Sequence, residues 1–277
     1  MNQEALGLRA WGSMVATMSR SLLVAVMWMF SGCASVSTMG LARTLNKGAA
    51  QGWVGPSGGG VVALGASPGS PATPIGYPLI EGGGRIGITD HFELGGRIGF
   101  SGIGIEGKVA FLRPPTMDSG VNVSINPGFT FAGFGGGDLF AGTLTFHLPV
   151  LIGIDFNGHE LVLGPRIIDQ VVFGALAQGP INVLYAGGSL GFAVKVSPTF
   201  RMIPELAIGV PAFITGPNGS GGATSALGGG GLIFQAGLGF VFGGPNQYDN
   251  VVEPRPLSAP PPPPLVPAPP PPPPNAL

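Results

Sequence analysis

The chain has 277 residues, of which only 9% are charged, and its formal net charge is −1. A soluble domain carries roughly 25% charged residues, and a near-zero net charge removes the electrostatic basis for a nucleic-acid partner. Fifty-one glycines argue against a helical protein. After residue 33 no uninterrupted apolar run approaches the roughly 20 residues of a spanning helix. A chain this apolar without such helices has one way to meet lipid, a closed β-barrel that pairs every backbone polar group.

The first element in chain order is a secretory signal. Ser19-Arg20 precede an apolar stretch, Leu22 to Phe30, which ends in Ser31-Gly32-Cys33-Ala34-Ser35. A basic flank, a short apolar core and small residues before the cut describe a cleaved segment rather than a spanning helix. The lone cysteine, Cys33, resembles the lipobox cysteine of bacterial lipoproteins, although Phe30 stands where an aliphatic residue is usual. That resemblance implies lipidation of Cys33 and removal of residues 1–32. Ala34, in place of an aspartate, favours the outer membrane. Residues 33–56 are then expected to be a lipidated, disordered tether.

Ten strand candidates follow, at about 58–66, 77–88, 92–100, 103–112, 121–131, 139–156, 159–172, 182–196, 200–213 and 230–243. Their signature is clearest from Ile80 to Leu112. There Ile86, Leu94, Ile98, Ile103, Ile105 and Val109 alternate with Arg85, Glu93, Arg97, Glu106 and Lys108. Successive strand side chains point to opposite faces, so each strand has one greasy and one charged face. The expectation is an all-β, closed, antiparallel, up-and-down transmembrane barrel over residues 57–243, of about ten strands, with eight as the alternative. Residues 244–277 carry proline at 245, 254, 256, 260–264, 267 and 269–274. That composition forbids a strand ladder and reads as an extended periplasmic tail, a spacer or a docking peptide for a periplasmic partner.

Four turns set the expected registers. Phe156-Asn157-Gly158-His159 suits a type I′ hairpin and pairs Ile154 with Leu161 and Ile152 with Leu163. Ser101-Gly102 would pair Phe100 with Ile103 and Ile98 with Ile105, placing Arg97 opposite Glu106. The loop 89–91 would align Ile86 with Leu94 and Ile88 with Phe92. The loop 197–199 would align Val194 with Met202 and Val196 with Phe200. The turns at 89–91, 157–158 and 197–199 fall together at one end, which in bacterial barrels is the periplasmic end, along with both termini. The tight 101–102 turn is the exception and falls at the other end, with the longer 113–120 loop at the periplasmic one.

The last strand carries Gln235, Gly237, Phe240 and Phe242 in the order polar, glycine, aromatic, aromatic. This resembles the signal of outer-membrane proteins that the barrel-assembly machinery reads. With the alternation and the signal peptide, residues 58–243 resemble the small outer-membrane β-barrel proteins of Gram-negative bacteria. The resemblance implies outer-membrane lipid and that machinery as partners. It departs in one respect, since 35 residues follow Phe242.

The inner face is expected to hold Glu81, Glu93, Glu106, Asp155, Glu160, Asp169 and Glu205 against Arg85, Arg97, Lys108, Arg166, Lys195 and Arg201. Nearly balanced charges in a narrow lumen would pair and fill it, so a structural, interaction or weak small-solute (porin-like) role is expected. A periplasmic lipid-binding barrel with apolar residues inward is the alternative reading. A small lipid-modifying enzyme using His147 is a remoter one. Gly187-Gly188-Ser189-Leu190-Gly191 matches a nucleophile-elbow pattern but lies within a strand, where the elbow needs a strand-to-helix turn. No cofactor is expected, nor a metal site, because no His, Cys or carboxylate cluster has ligand spacing.

Overall fold

The computed structural model describes residues 35–63, 75–115, 119–134, 140–174, 179–216 and 231–243. The signal segment, Cys33 and the proline-rich tail therefore lie outside the described residues. The strands are β1 (Ala50–Ala63), β2 (Ile75–Thr89), β3 (Phe92–Gly99), β4 (Gly102–Leu112), β5 (Ser119–Ile125) and β6 (Gly128–Phe134). They continue with β7 (Ala141–Phe156), β8 (His159–Leu163), β9 (Arg166–Gly174), β10 (Ile181–Ser197), β11 (Phe200–Thr215) and β12 (Gly231–Phe242). Among the described residues no helix is long and apolar enough to cross a membrane.

All pairings are antiparallel, and they close on themselves. β12 pairs both β11 and β1, and β10 pairs β11. β5 and β6 both bridge β4 to β7, and β8 and β9 both bridge β7 to β10. Each of these pairs is one wall position, so the wall has ten positions, as the alternation predicts, and not eight. The two interruptions fall at Asn126-Pro127 and Gly164-Pro165. Proline has no N–H to give to a ladder. The ladder bends around it: Gly107 donates to the Pro127 carbonyl at 2.9 Å and Val150 to the Pro165 carbonyl at 2.8 Å.

The 157–158 hairpin has the expected register throughout. Asn157 (φ 52°) and Gly158 (φ 81°) both take the left-handed region that a type I′ turn requires. Gly158→Ala is expected to cost roughly 1 kcal/mol of barrel stability, because a Cβ strains that conformation. A urea titration of the unfolding gel-mobility shift would show the midpoint moving down.

Two other turns bulge. Gly87 and Thr89 pair with Glu93 and Phe92, and Ser197 rather than Val196 pairs with Phe200, while Ile86–Leu94 and Val194–Met202 hold. The β3–β4 hairpin differs by two residues. Gly99 pairs with Gly102, so Arg97 lies opposite Gly104 rather than Glu106. Alternation cannot distinguish registers two residues apart, since both keep every side chain on its face. The observed register sets Glu93 opposite Lys108 and Glu106 opposite Gly95. It thereby opens a path for Arg85 on β2 to reach Glu106 across the glycine.

The first strand begins at Ala50, eight residues before its expected start. Gly55-Pro56-Ser57-Gly58-Gly59-Gly60 hides the alternation there, because glycine carries no face. Outside the ring, Ile98 (62%), Ile103 (66%) and Phe111 (64%) are exposed, while Lys108 (1%) and Glu160 (0%) are buried inside it. This is the distribution of a barrel made for lipid, and it overturns the alternative with apolar residues inward.

Candidate functional site: the lumen

The inward positions on the half nearer Ala50 carry most of the charge. On β2, β3 and β4 the carboxylates and cations interleave. Arg85 Nε lies 2.7 Å from Glu106 and 3.9 Å from Glu93, and Lys108 Nζ lies 2.7 Å from Glu93. Arg97 stands 4.0 Å from Glu81, and on the opposite wall Arg166 stands 3.8 Å from Glu205. Charges this deeply buried are tolerated only when paired and hydrogen-bonded. Trp53, inward on β1, was not singled out by its sequence. Its ring lies within cation–π distance of the guanidinium groups of both Arg85 (5.9 Å) and Arg97 (5.5 Å), offering each a π-face.

Toward the other end the inward positions become apolar or hydroxylic, with Leu79, Thr143, Ile168, Ala207 and Ile233 buried there. Asp169 is the one expected inward charge that faces out. It alternates with buried Ile168 and Gln170 and pairs with Phe146 and Leu184 on the outer face. Glu160 and Asp155 are buried at the near end. Lys195 is half-buried at the near rim, in register with Arg201, which donates to the Gly158 carbonyl at 2.7 Å.

The largest departure from expectation is residues 35–49. Rather than forming a disordered tether, residues 35–44 are buried inside the ring. Ser35 donates to Glu81 at 2.6 Å. The backbone N–H of Val36 donates to Gln235 at 2.9 Å, and those of Thr38 and Met39 donate to the two oxygens of Glu205 at 2.9 and 2.7 Å. Ala42 donates to Glu160 and Leu45 to Glu93. Arg43, the only charge of the buried stretch, lies 3.8 Å from Asp155.

The segment also organises the apolar interior. Met39 and Leu41 join Trp53, Ala193, Ile203 and Val241 in one cluster. Val36 joins Ile168, Ala207 and Ile233, and Ala42 joins Leu151 and Val162. Each cluster thus has a segment residue against residues of the wall. No periodicity marks such a segment. The available signal is its composition, since Ser35 to Ala42 is uncharged and small except at Val36, Met39 and Leu41.

The residues resembling an assembly signal divide between the faces. Gln235 and Gly237 point into the lumen, where Gln235 also bonds Ser57 at 2.9 Å. A Cβ on Gly237 would stand 2.4 Å from the Met39 methyl. Phe240 and Phe242 lie on the other face and stack on Phe200 at 6.3 and 6.0 Å. β12 is the strand that closes the ring against β1.

Ser189 sits inside β10 and accepts a hydrogen bond from Arg166 rather than from a histidine. His147 faces the lumen, packed against Gly128. Among the described residues no group of three or more His, Cys, Asp or Glu could hold a metal ion.

No family profile matches the chain, and no curated protein matches it. Solved structures that resemble it include the outer membrane protease OmpT of Escherichia coli, with 10% identity and a TM-score of 0.38 over 73% of this chain and 100% of that one. An outer membrane channel of Pseudomonas putida F1 matches with 12% identity and a TM-score of 0.38, over 76% and 100%. The outer membrane protein OprG of Pseudomonas aeruginosa matches with 12% identity and a TM-score of 0.32, over 73% and 99%.

Proposed function

We propose that this protein is an outer-membrane β-barrel whose lumen is kept closed to solutes by its own N-terminal segment, with a structural or interaction role and at most weak small-solute transport. The observation that supports this reading is the seating of residues 35–44 on inward carboxylates and guanidinium groups. A ten-strand ring is wider than the eight-strand barrels that side chains fill, and the buried residues 35–44 take up space within it. Shared placement of Ala50, the 157–158 and 198–199 turns and Gly243 at one end supports a periplasmic location for that end. The reading is non-enzymatic, and what supports it is the placement of Ser189 within β10, bonded by Arg166 rather than by a histidine. The barrel-assembly machinery is the partner that would deliver it, and the proline-rich tail would extend into the periplasm as a spacer or docking peptide.

Lipidation of Cys33 belongs to the same proposal. Cys33 precedes by two residues Ser35, which bonds Glu81 inside the ring. Envelope fractionation with mass spectrometry of the mature N-terminus, together with planar-bilayer recording of the refolded chain, tests the reading. Outer-membrane recovery, heat-modifiable mobility and a nearly silent bilayer are expected. Recovery in the soluble periplasm, or a steady large conductance, would overturn it.

A further inference from the structure

The wall recognises the seated segment chiefly through its main chain. Five backbone N–H groups, of Val36, Thr38, Met39, Ala42 and Leu45, are received by Gln235, Glu205, Glu160 and Glu93. Four carbonyls are also held. Arg166 donates to Val36, Arg97 to Ser37, Arg85 to Thr38, and Ser124 to Ala42 at 2.7 Å. The segment bends at Met39 (φ 40°), so the wall reads the N–H and C=O groups of a chain that takes this bend.

Fit is set at a few points. Met39 fills a niche that exists because Gly55 and Gly237 lack side chains; a Cβ there would stand 3.2 and 2.4 Å from it. The next residue must be small, since a Cβ on Gly40 would lie 2.5 Å from the Arg85 guanidinium. Ala42 packs where a Cβ on Gly153 would come within 2.9 Å of it.

We propose that the lumen is a binding site for a small-residue polypeptide, read through its main chain, that bends at an unbranched apolar residue followed by glycine and carries a cation four residues after that apolar residue, as Met39, Gly40 and Arg43 do here. The seated segment is its covalently attached occupant. This rests on the reading that the segment closes the lumen, and it adds that the site persists when the segment is gone and will take a peptide in trans. Tethering supplies the resident segment with an effective concentration in the millimolar range, which a free competitor must overcome.

The test uses the refolded barrel lacking residues 35–49 and a fluorescein-labelled synthetic peptide of residues 35–46. Anisotropy in detergent is expected to show saturable binding, and the same unlabelled peptide should silence the truncated barrel in a planar bilayer. Glu205→Gln in the barrel is expected to weaken binding about tenfold through loss of a charge-assisted contact, and Gly40→Leu in the peptide at least as much by displacing the Arg85 guanidinium. Peptides in which only Ser35, Ser37 and Thr38 are permuted, with Val36 and Met39 to Arg43 kept in place, should bind within a few-fold.

If the truncated barrel conducts and the peptide neither binds nor blocks, the peptide site is overturned while closure by the segment stands. If truncation leaves conductance unchanged but the peptide binds, closure fails and the site stands. Should the truncated barrel not refold, the full chain carrying a protease site at exposed Lys47-Gly48 is cleaved after folding. Exchange of the cut segment for labelled peptide supports the site, and a cut segment that neither stays nor is replaced overturns it.

Discussion

Deletion of residues 35–49 is expected to raise the mean conductance of the refolded barrel by about an order of magnitude, because a ten-strand ring lies between barrels filled by their side chains and open porins. The deletion removes the backbone of the buried stretch and the side chains of Met39 and Leu41 from the space beneath Trp53. It also frees both oxygens of Glu205 and one of Glu160, which water would then solvate. Hydration of carboxylates favours a wet lumen over a collapsed one. Weak cation preference should accompany the opening, since freed carboxylates and freed guanidinium groups offset one another while Arg43 leaves with the segment and its partner Asp155 stays. Single-channel recording of the truncated and full chains in one bilayer composition measures both effects. Equal, nearly silent traces from both would mean that paired side chains alone close the barrel.

The second large effect is on stability. Arg85 contacts Glu106 at 2.7 Å, approaches Glu93 at 3.9 Å, donates to the Thr38 carbonyl and lies over Trp53. Arg85→Met keeps the length and loses the charge, leaving Glu106 buried without its closest cation. Breaking a buried pair from one side costs about 3–5 kcal/mol. The urea midpoint of the gel-mobility transition should fall accordingly. Glu106→Gln added to Arg85→Met should recover part of the loss, since it removes the stranded charge. A double variant as unstable as the single one would show that the cation on Trp53, rather than the ion pair, carries the stability.

The wall was legible because its information is local. Strand period 2 places Arg85, Glu93, Lys108 and Glu205 on one face without reference to any neighbour. Asn157-Gly158 writes its own turn in two residues. Three features resisted for identifiable reasons. The β3–β4 register differs by two residues because face alternation is blind to even shifts. β1 extends back to Ala50 through a glycine-proline stretch that has no pattern. Pro127 and Pro165 divide strands that pair continuously in space, so the division lies in hydrogen bonding rather than in the wall. The seated segment was illegible for a deeper reason. Its partners, Glu81, Glu160, Glu205 and Gln235, are 46 to 199 residues away, and nothing within residues 35–44 repeats.

Those separations bear on the order of folding. Val36 meets Gln235 across 199 residues, and Met39 meets Glu205 across 166. Closing so large a loop costs entropy that no nearby contact repays, and such contacts form late and slowly. Quenching of Trp53 fluorescence on insertion would report the wall assembling, and a slower second phase would report the segment settling. The β1–β12 ladder, which pairs Gly52 with Phe242, closes a loop almost as long. Once the ring is joined, only residues 35–49 remain to be ordered, and the interior stays vacant for as long as they take to settle.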